Sequence, residues 1–108
     1  RYWGITGTDA TAYLQNPNVA YSTATGDWKQ KIGTQKWLAL YNRGFDAWTE
    51  IRRLDYPVLP APADPVTDFP VRYTYPVQEQ NLNTAKWTEA AAAIGGDDVT
   101  TKLFWDKF

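Results

Sequence analysis

The sequence predicts a mostly α-helical protein whose helices are joined by long, ordered, proline-rich loops. Two observations carry the helices. Between Trp28 and Pro60, the residues Ile32, Trp37, Leu40, Tyr41, Phe45, Trp48 and Ile51 recur mostly at steps of three and four, which places most of them on one side of a helix. Thr84–Ile94 is an alanine-rich run, and alanine is the strongest helix former. The loops follow from proline. Six of the seven prolines fall between 57 and 76, where missing N–H groups and a fixed φ exclude a long helix or a central strand.

Residues 1–8 read as extended or irregular, with glycines at 4 and 7. Tyr2 and Trp3 are bulky enough to be expected to pack. A short helix is predicted over about 9–15, capped by Thr8 or Asp9 and stopped by Asn16-Pro17-Asn18. Val19–Tyr21 is a short apolar stretch, and Ser22–Gly26 a polar loop. Asp27 is placed to cap the next helix, because its carboxylate can accept free N–H groups of the first turn. The long periodic stretch then divides in two, about 27–42 and about 45–54. Asn42-Arg43-Gly44 forms the break, with Gly44 suited to a left-handed C-terminal cap. Arg52 and Arg53 complement the dipole of the last turn. Asp55-Tyr56-Pro57 ends it.

Residues 57–83 read as an ordered loop. Val58, Leu59, Val66, Phe69, Val71, Tyr73, Tyr75 and Val77 make it too apolar for a free linker, so it is expected to drape over the helices. Phe69–Tyr75 alternates enough for one short strand, and Gln78–Asn83 reads as a polar turn. The last helix, about 84–94, is expected to be capped by Thr84 and ended by Gly95-Gly96. Its Trp87, Ala91 and Ile94 share a face that needs a partner surface. Val99, Leu103, Phe104, Trp105 and Phe108 should make the tail pack back. No internal repeat stands out.

Composition removes whole classes of function. With 108 residues the chain supports one modest core. Its net charge of −1 offers no basic surface to nucleic acid. It has no Cys and no His, so disulfides, thiolate nucleophiles, imidazole bases and the usual zinc ligands are all missing. No metal site and no cofactor is expected. Aromatics make up 16% of the chain. Most are expected in a core of large side chains, and one or two could form a stacking platform for sugar rings.

Four pieces of sequence, kept in order, resemble the C-terminal end of SusD-like (SusD/RagB) proteins. The first is Ile32, Gln35, Lys36, Trp37, Ala39 and Leu40. The second is Asp46-Ala47-Trp48 with Glu50, Arg52, Arg53, Tyr56 and Pro57. The third is Arg72, Tyr75, Pro76, Glu79, Asn81 and Asn83, and the fourth Gly95-Gly96-Asp97, Lys102-Leu103 and Trp105-Asp106. Asp46 stands where glutamate is frequent, and Leu54-Asp55 where threonine-glycine is. The resemblance covers about residues 9–106. It implies that residues 1–108 are a C-terminal fragment of a SusD-like domain, helical and of tetratricopeptide-repeat type. The start at Arg1 fits that expectation. It further implies a surface lipoprotein of the outer membrane in Bacteroidetes-type bacteria, held by a lipid anchor outside this piece. Such proteins capture glycans or other nutrients and deliver them to a SusC-like TonB-dependent transporter.

The residues themselves suggest mainly structural roles. Lys36, Glu50, Arg52 and Arg53 are expected to form an ion-pair network whose stems cover Trp37 and Trp48. Asp46 and Glu50 share a helix face and should pair with Arg43 and Arg53. A glycosidase would instead need two carboxylates straddling a cleft, so no catalytic residue is assigned. Arg72 and Glu79 are expected to tie the proline loop to the helices, and Asn81 and Asn83 to satisfy backbone groups in a turn. Among Trp28, Trp37, Trp48, Trp87 and Trp105, Trp37 and Trp48 are expected in the core. Trp87 is left as the candidate ligand-binding residue. Three readings follow: a non-catalytic nutrient-binding protein, a helical protein-interaction scaffold, and a carboxylate-only glycosidase fragment.

Overall fold

The computed structural model describes residues 4–106; the packing expected of Tyr2, Trp3 and Phe108 lies outside them. The described residues form α1 (Gly7–Gln15), α2 (Trp28–Ala39), α3 (Gly44–Leu54), α4 (Val77–Leu82) and α5 (Thr84–Ala93). No strand occurs among the described residues, in keeping with the mostly α class. The chain divides into two units, Arg1–Val58 and Leu59–Phe108.

In the first unit, α1 begins two residues before its expected start. Thr6, not Thr8 or Asp9, is the N-cap. The Thr6 hydroxyl accepts the Asp9 N–H at 3.2 Å, and the Asp9 carboxylate accepts the Thr6 N–H at 2.7 Å. This capping box satisfies two free donors reciprocally, which is why Asp9 serves inside the first turn and not at its edge. The Tyr13 hydroxyl donates to Gln35 Oε1 at 2.6 Å, tying α1 to α2. Asp27 caps α2, accepting the Gln30 N–H at 2.9 Å.

α2 stops at Ala39, and Gly44 is not its left-handed cap. Gly44 opens α3 after Arg43. The left-handed residue of this unit's paired helices is Asp55, at φ 59°, whose N–H bonds to Ile51 O at the end of α3. Aspartate tolerates that region better than most non-glycine residues.

The buried face of α3 is Ala47, Ile51 and Leu54, the last only 1% exposed. Their spacing of four and three is the helical period. The predicted stripe is therefore corrected at Phe45 and Tyr41, which are exposed, Tyr41 by 91%. Phe45 lies two positions from Ala47, about 200° around the helix, and so on the other side. Trp37 is also outside the core, at 36% exposed, while Trp48 is half-buried. On α2, Gly33 is buried against the Tyr56 backbone. A Cβ there would lie 2.8 Å from Tyr56 O, so only glycine allows this approach.

The second unit begins with the proline segment. Residues 60–70 are all exposed, so the expected draped packing does not hold for them. Leu59, Pro60, Pro62, Val66 and Phe69 instead help line a concavity of about 650 Å³ formed by the segment itself. Phe69–Tyr75 is not a strand. The N–H groups of Val71 and Arg72 both donate to the single carbonyl of Val99, at 2.8 and 3.2 Å, and Pro70 and Pro76 supply no donors, so no ladder forms.

The expected polar turn at Gln78–Asn83 is largely the short helix α4. Pro76, at φ −57°, sets its entry, and its carbonyl accepts the Glu79 N–H. Asn83, not Thr84, is the N-cap residue of α5; the Thr84 hydroxyl donates back to Gln80 O at 2.6 Å. α5 ends at Gly95 and Gly96, at φ 86° and 125°, with the Gly96 N–H on Ala91 O. No helix among the described residues is long and apolar enough to cross a membrane.

Candidate functional site

The end of α5 turns the chain back on itself, and this places a carboxylate against α5. After the two glycines, Asp97 reaches Trp87, ten residues upstream. The indole N–H of Trp87 donates to Asp97 Oδ2 at 2.9 Å. The same carboxylate accepts the Tyr75 backbone N–H at 3.0 Å and pairs with Arg72 at 3.1 Å. Arg72 and Asp97 are buried, their side chains 6% and 3% exposed. Arg72 also donates to Gly96 O at 3.4 Å, and its guanidinium lies over the Tyr75 ring, 4.9 Å from the centroid.

Burial raises the pKa of Asp97, but the bonds from Trp87 and Tyr75 and the charge of Arg72 outweigh it. The net result is a carboxyl held below its ordinary value of 3.8. Asp97 is thus ionised at neutral pH and accepts from three directions.

This cluster fixes one wall of a shallow groove. Trp87 is half-buried and lines it with Tyr75, Glu79, Asn83, Lys86 and Ala90; the groove volume is about 310 Å³. Lys86, Trp87 and Ala90 come from one side of α5 at steps of one and three. Glu79 comes from α4, and Asn83 from the junction of the two helices. On the rim, Asn83 Nδ2 donates to Glu79 Oε2 at 3.2 Å, and Lys86 pairs with Glu89 at 2.7 Å. The groove surface is almost wholly apolar, with Trp87 as its aromatic wall and the polar ends of Glu79, Asn83 and Lys86 turned to their own partners at the edge.

The other residues singled out from the sequence fall elsewhere. Arg72 has Asp97 as its partner, because the glycine turn delivers that carboxylate to a buried position, while Glu79 accepts from Asn83. Lys36–Glu50 and Arg53–Glu50 are both 2.6 Å, and Arg43–Asp46 is 2.7 Å, the expected ion-pair pattern. Arg52 stacks on Trp48, 3.8 Å from the ring centroid. Trp28 and Trp105 are exposed. Burial raises the Glu50 pKa, yet its hydrogen bonds and charge contacts with Lys36 and Arg53 bring it below the ordinary 4.5. That is the opposite of what a general acid needs. Among the described residues no group of three or more His, Cys, Asp or Glu could hold a metal ion.

A family described as "Starch-binding associating with outer membrane", SusD-like, matches residues 1–76. The chain belongs to this SusD-like family. The solved structure of a Bacteroidetes AC2a SusD-like protein is similar at 30% identity and a TM-score of 0.81 over 96% of this chain. The chain spans 21% of that protein's length. No curated protein matches it. Within this SusD-like chain, the buried polar cluster that the sequence reading did not assemble is centred on Asp97. Its signal was present: an acid directly after a helix-ending Gly-Gly pair, facing an isolated arginine on the preceding loop.

Proposed function

We propose that this chain is the C-terminal part of a longer SusD-like protein that captures a glycan at the outer-membrane surface. The protein performs no chemistry of its own. It is held by a lipid anchor outside residues 1–108, on the extracellular face, and passes its ligand to a SusC-like TonB-dependent transporter. The observation that carries this reading is the family match over residues 1–76, to a family described as starch-binding and associated with the outer membrane. The similarity to a SusD-like structure over nearly all of the chain supports it further.

The chemistry of the chain is in keeping with binding. Glu50 is tied to two cations and Asp46 to one, so neither is poised to transfer a proton. Sugar binding needs what the chain has, aromatic surface beside a few fixed polar groups. A helical scaffold is the second reading, and the exposure of Leu38, Tyr41 and Phe45 favours it. In the proposed protein those side chains would meet other parts of the longer chain.

The test is a glycan-array screen of the longer protein with residues 1–108 run in parallel. The proposal expects the longer protein to bind neutral glycans without cleaving them. Absence of all glycan binding, or release of shortened products, would contradict it. Co-purification with a TonB-dependent transporter tests the partner separately.

A further inference from the structure

We infer that the apolar groove beside Trp87 is a socket for an apolar stretch of the same polypeptide outside residues 1–108. This rests on the reading of the chain as part of a longer SusD-like protein. It assigns the surface on which the second unit meets the rest of that protein.

The groove offers an occupant almost nothing but carbon. Its surface beside Tyr75, Trp87 and Ala90 is nearly all apolar. The polar groups around it already have partners. The Trp87 indole N–H and the Tyr75 N–H both donate to Asp97, Asn83 donates to Glu79, and Lys86 pairs with Glu89. A ligand rich in hydrogen-bonding groups would give up water there and gain no partner. An apolar side chain gives up no hydrogen bond on entering, and its burial is favourable.

The apolar surface also runs past the groove. Leu82 stands three positions after Glu79 on α4, which puts the two on the same side of that helix, and it is 86% exposed. An occupant that covers both the ring and this leucine is a length of chain, larger than a single small molecule. The ring is held before anything packs on it. Its N–H is fixed by Asp97, and that carboxylate is buried and paired with Arg72. Protein interiors are close-packed, and an oriented ring presents one defined surface for a second element to fit.

Length says which chain supplies that element. Residues 1–108 match a solved SusD-like structure over 96% of their own length but over only 21% of that chain. In a longer protein of this kind most of the sequence lies outside this piece. A covalently attached segment reaches the groove at a high effective concentration, without the cost of bringing two molecules together.

The experiment is thiol labelling of the native longer protein. Residues 1–108 contain no Cys, so a single Cys is introduced there and its reaction with N-ethylmaleimide is followed on its own peptide by mass spectrometry. Lys86→Cys places the thiol at the groove. Glu89→Cys places it three residues on, outside the lining. The two native side chains are similarly exposed, at 73% and 69%. Both substitutions lose the same ion pair, so the variants differ chiefly in their position relative to the groove. Circular dichroism and a thermal melt check that both are folded. The inference predicts labelling at position 86 at least about tenfold slower than at position 89, at every protein concentration. Equal rates would mean an open groove; they would overturn the socket and leave the longer-protein reading intact. Protection at position 86 that disappears on dilution would assign the groove to a second copy and would also overturn the inference. A natural product with the 12.3 kDa mass of residues 1–108 alone would remove the longer-protein reading itself, and the socket with it.

Discussion

The two units of this chain are held by different physics. In the first, Ala47, Ile51 and Leu54 bury hydrocarbon along α3, and Gly33 lets α2 approach Tyr56 at backbone contact. In the second, Ala91 is the one buried apolar side chain among the described residues, beside a buried Arg72–Asp97 pair that also holds Trp87 and Tyr75. Hydrocarbon packing is non-directional and fixes helices against each other without fixing any one ring to a fraction of an ångström. A carboxylate with three donors is directional. A buried ion pair is weak evidence for stability, so its use in the second unit is best understood as positioning. The comparison assigns the frame to the first unit and the oriented aromatic surface to the second.

The sharpest way to break the frame is Leu54→Ala. Emptying the most buried side chain should cost about 2–5 kcal/mol, read as lower stability in denaturant. Loss of amide protection should begin in residues 44–54.

Arg72→Ala should disturb the second unit next most strongly, since it leaves a buried carboxylate without its cation. Faster exchange of the Trp87 indole proton and the Tyr75 amide would be the signature, and Arg72→Lys should restore part of the protection. The same cluster predicts a pH dependence. The Asp97 pKa is lower folded than unfolded, so its contribution is complete above the unfolded value near 3.8 and is lost as pH falls through the depressed folded value. Asp97→Asn should flatten that acid limb of a stability–pH curve. An unchanged curve would transfer the acid sensitivity to other carboxylates, Glu50 among them.

Gly33→Ala sharpens the comparison from the side of the first unit. The added methyl meets backbone, which cannot step aside as a flexible side chain would, and the cost should be about 1–3 kcal/mol. A thermal melt measures it; a neutral result would mean that Tyr56 shifts easily. The smallest effect expected is at the start of α1. Thr6→Ala removes one half of the capping box and should cost about 0.5–2 kcal/mol, seen as fraying of amides 7–10.

The helices were legible in the sequence because period and propensity are local properties. Asp27 was read as a cap and Gly95-Gly96 as a stop for the same reason. What was not legible depended on which of several good candidates the backbone would use. Thr6 won over Thr8 because Asp9 could close a box with it. Gly44, expected to cap α2, opens α3 instead, and the left-handed residue is Asp55 at the other end of α3. The predicted stripe failed at Phe45 because a run of aromatics crosses the break between two helices, and each helix sets its own phase. The α4 helix was hidden by its polar residues. The site was half legible. Trp87 was singled out for its ring, and Arg72 as a tie between the proline loop and the helices, but that Asp97 is their common partner depends on the glycine turn that brings it back.

Centrally, the buried Arg72–Asp97 pair orients Trp87 and Tyr75 in the second unit, while hydrocarbon packing holds the first. Hydrogen–deuterium exchange of the longer protein, with and without Asp97→Asn, tests this most directly. Faster exchange is expected within residues 72–77 and no change within residues 44–54. Unchanged exchange within 72–77 would contradict the claim.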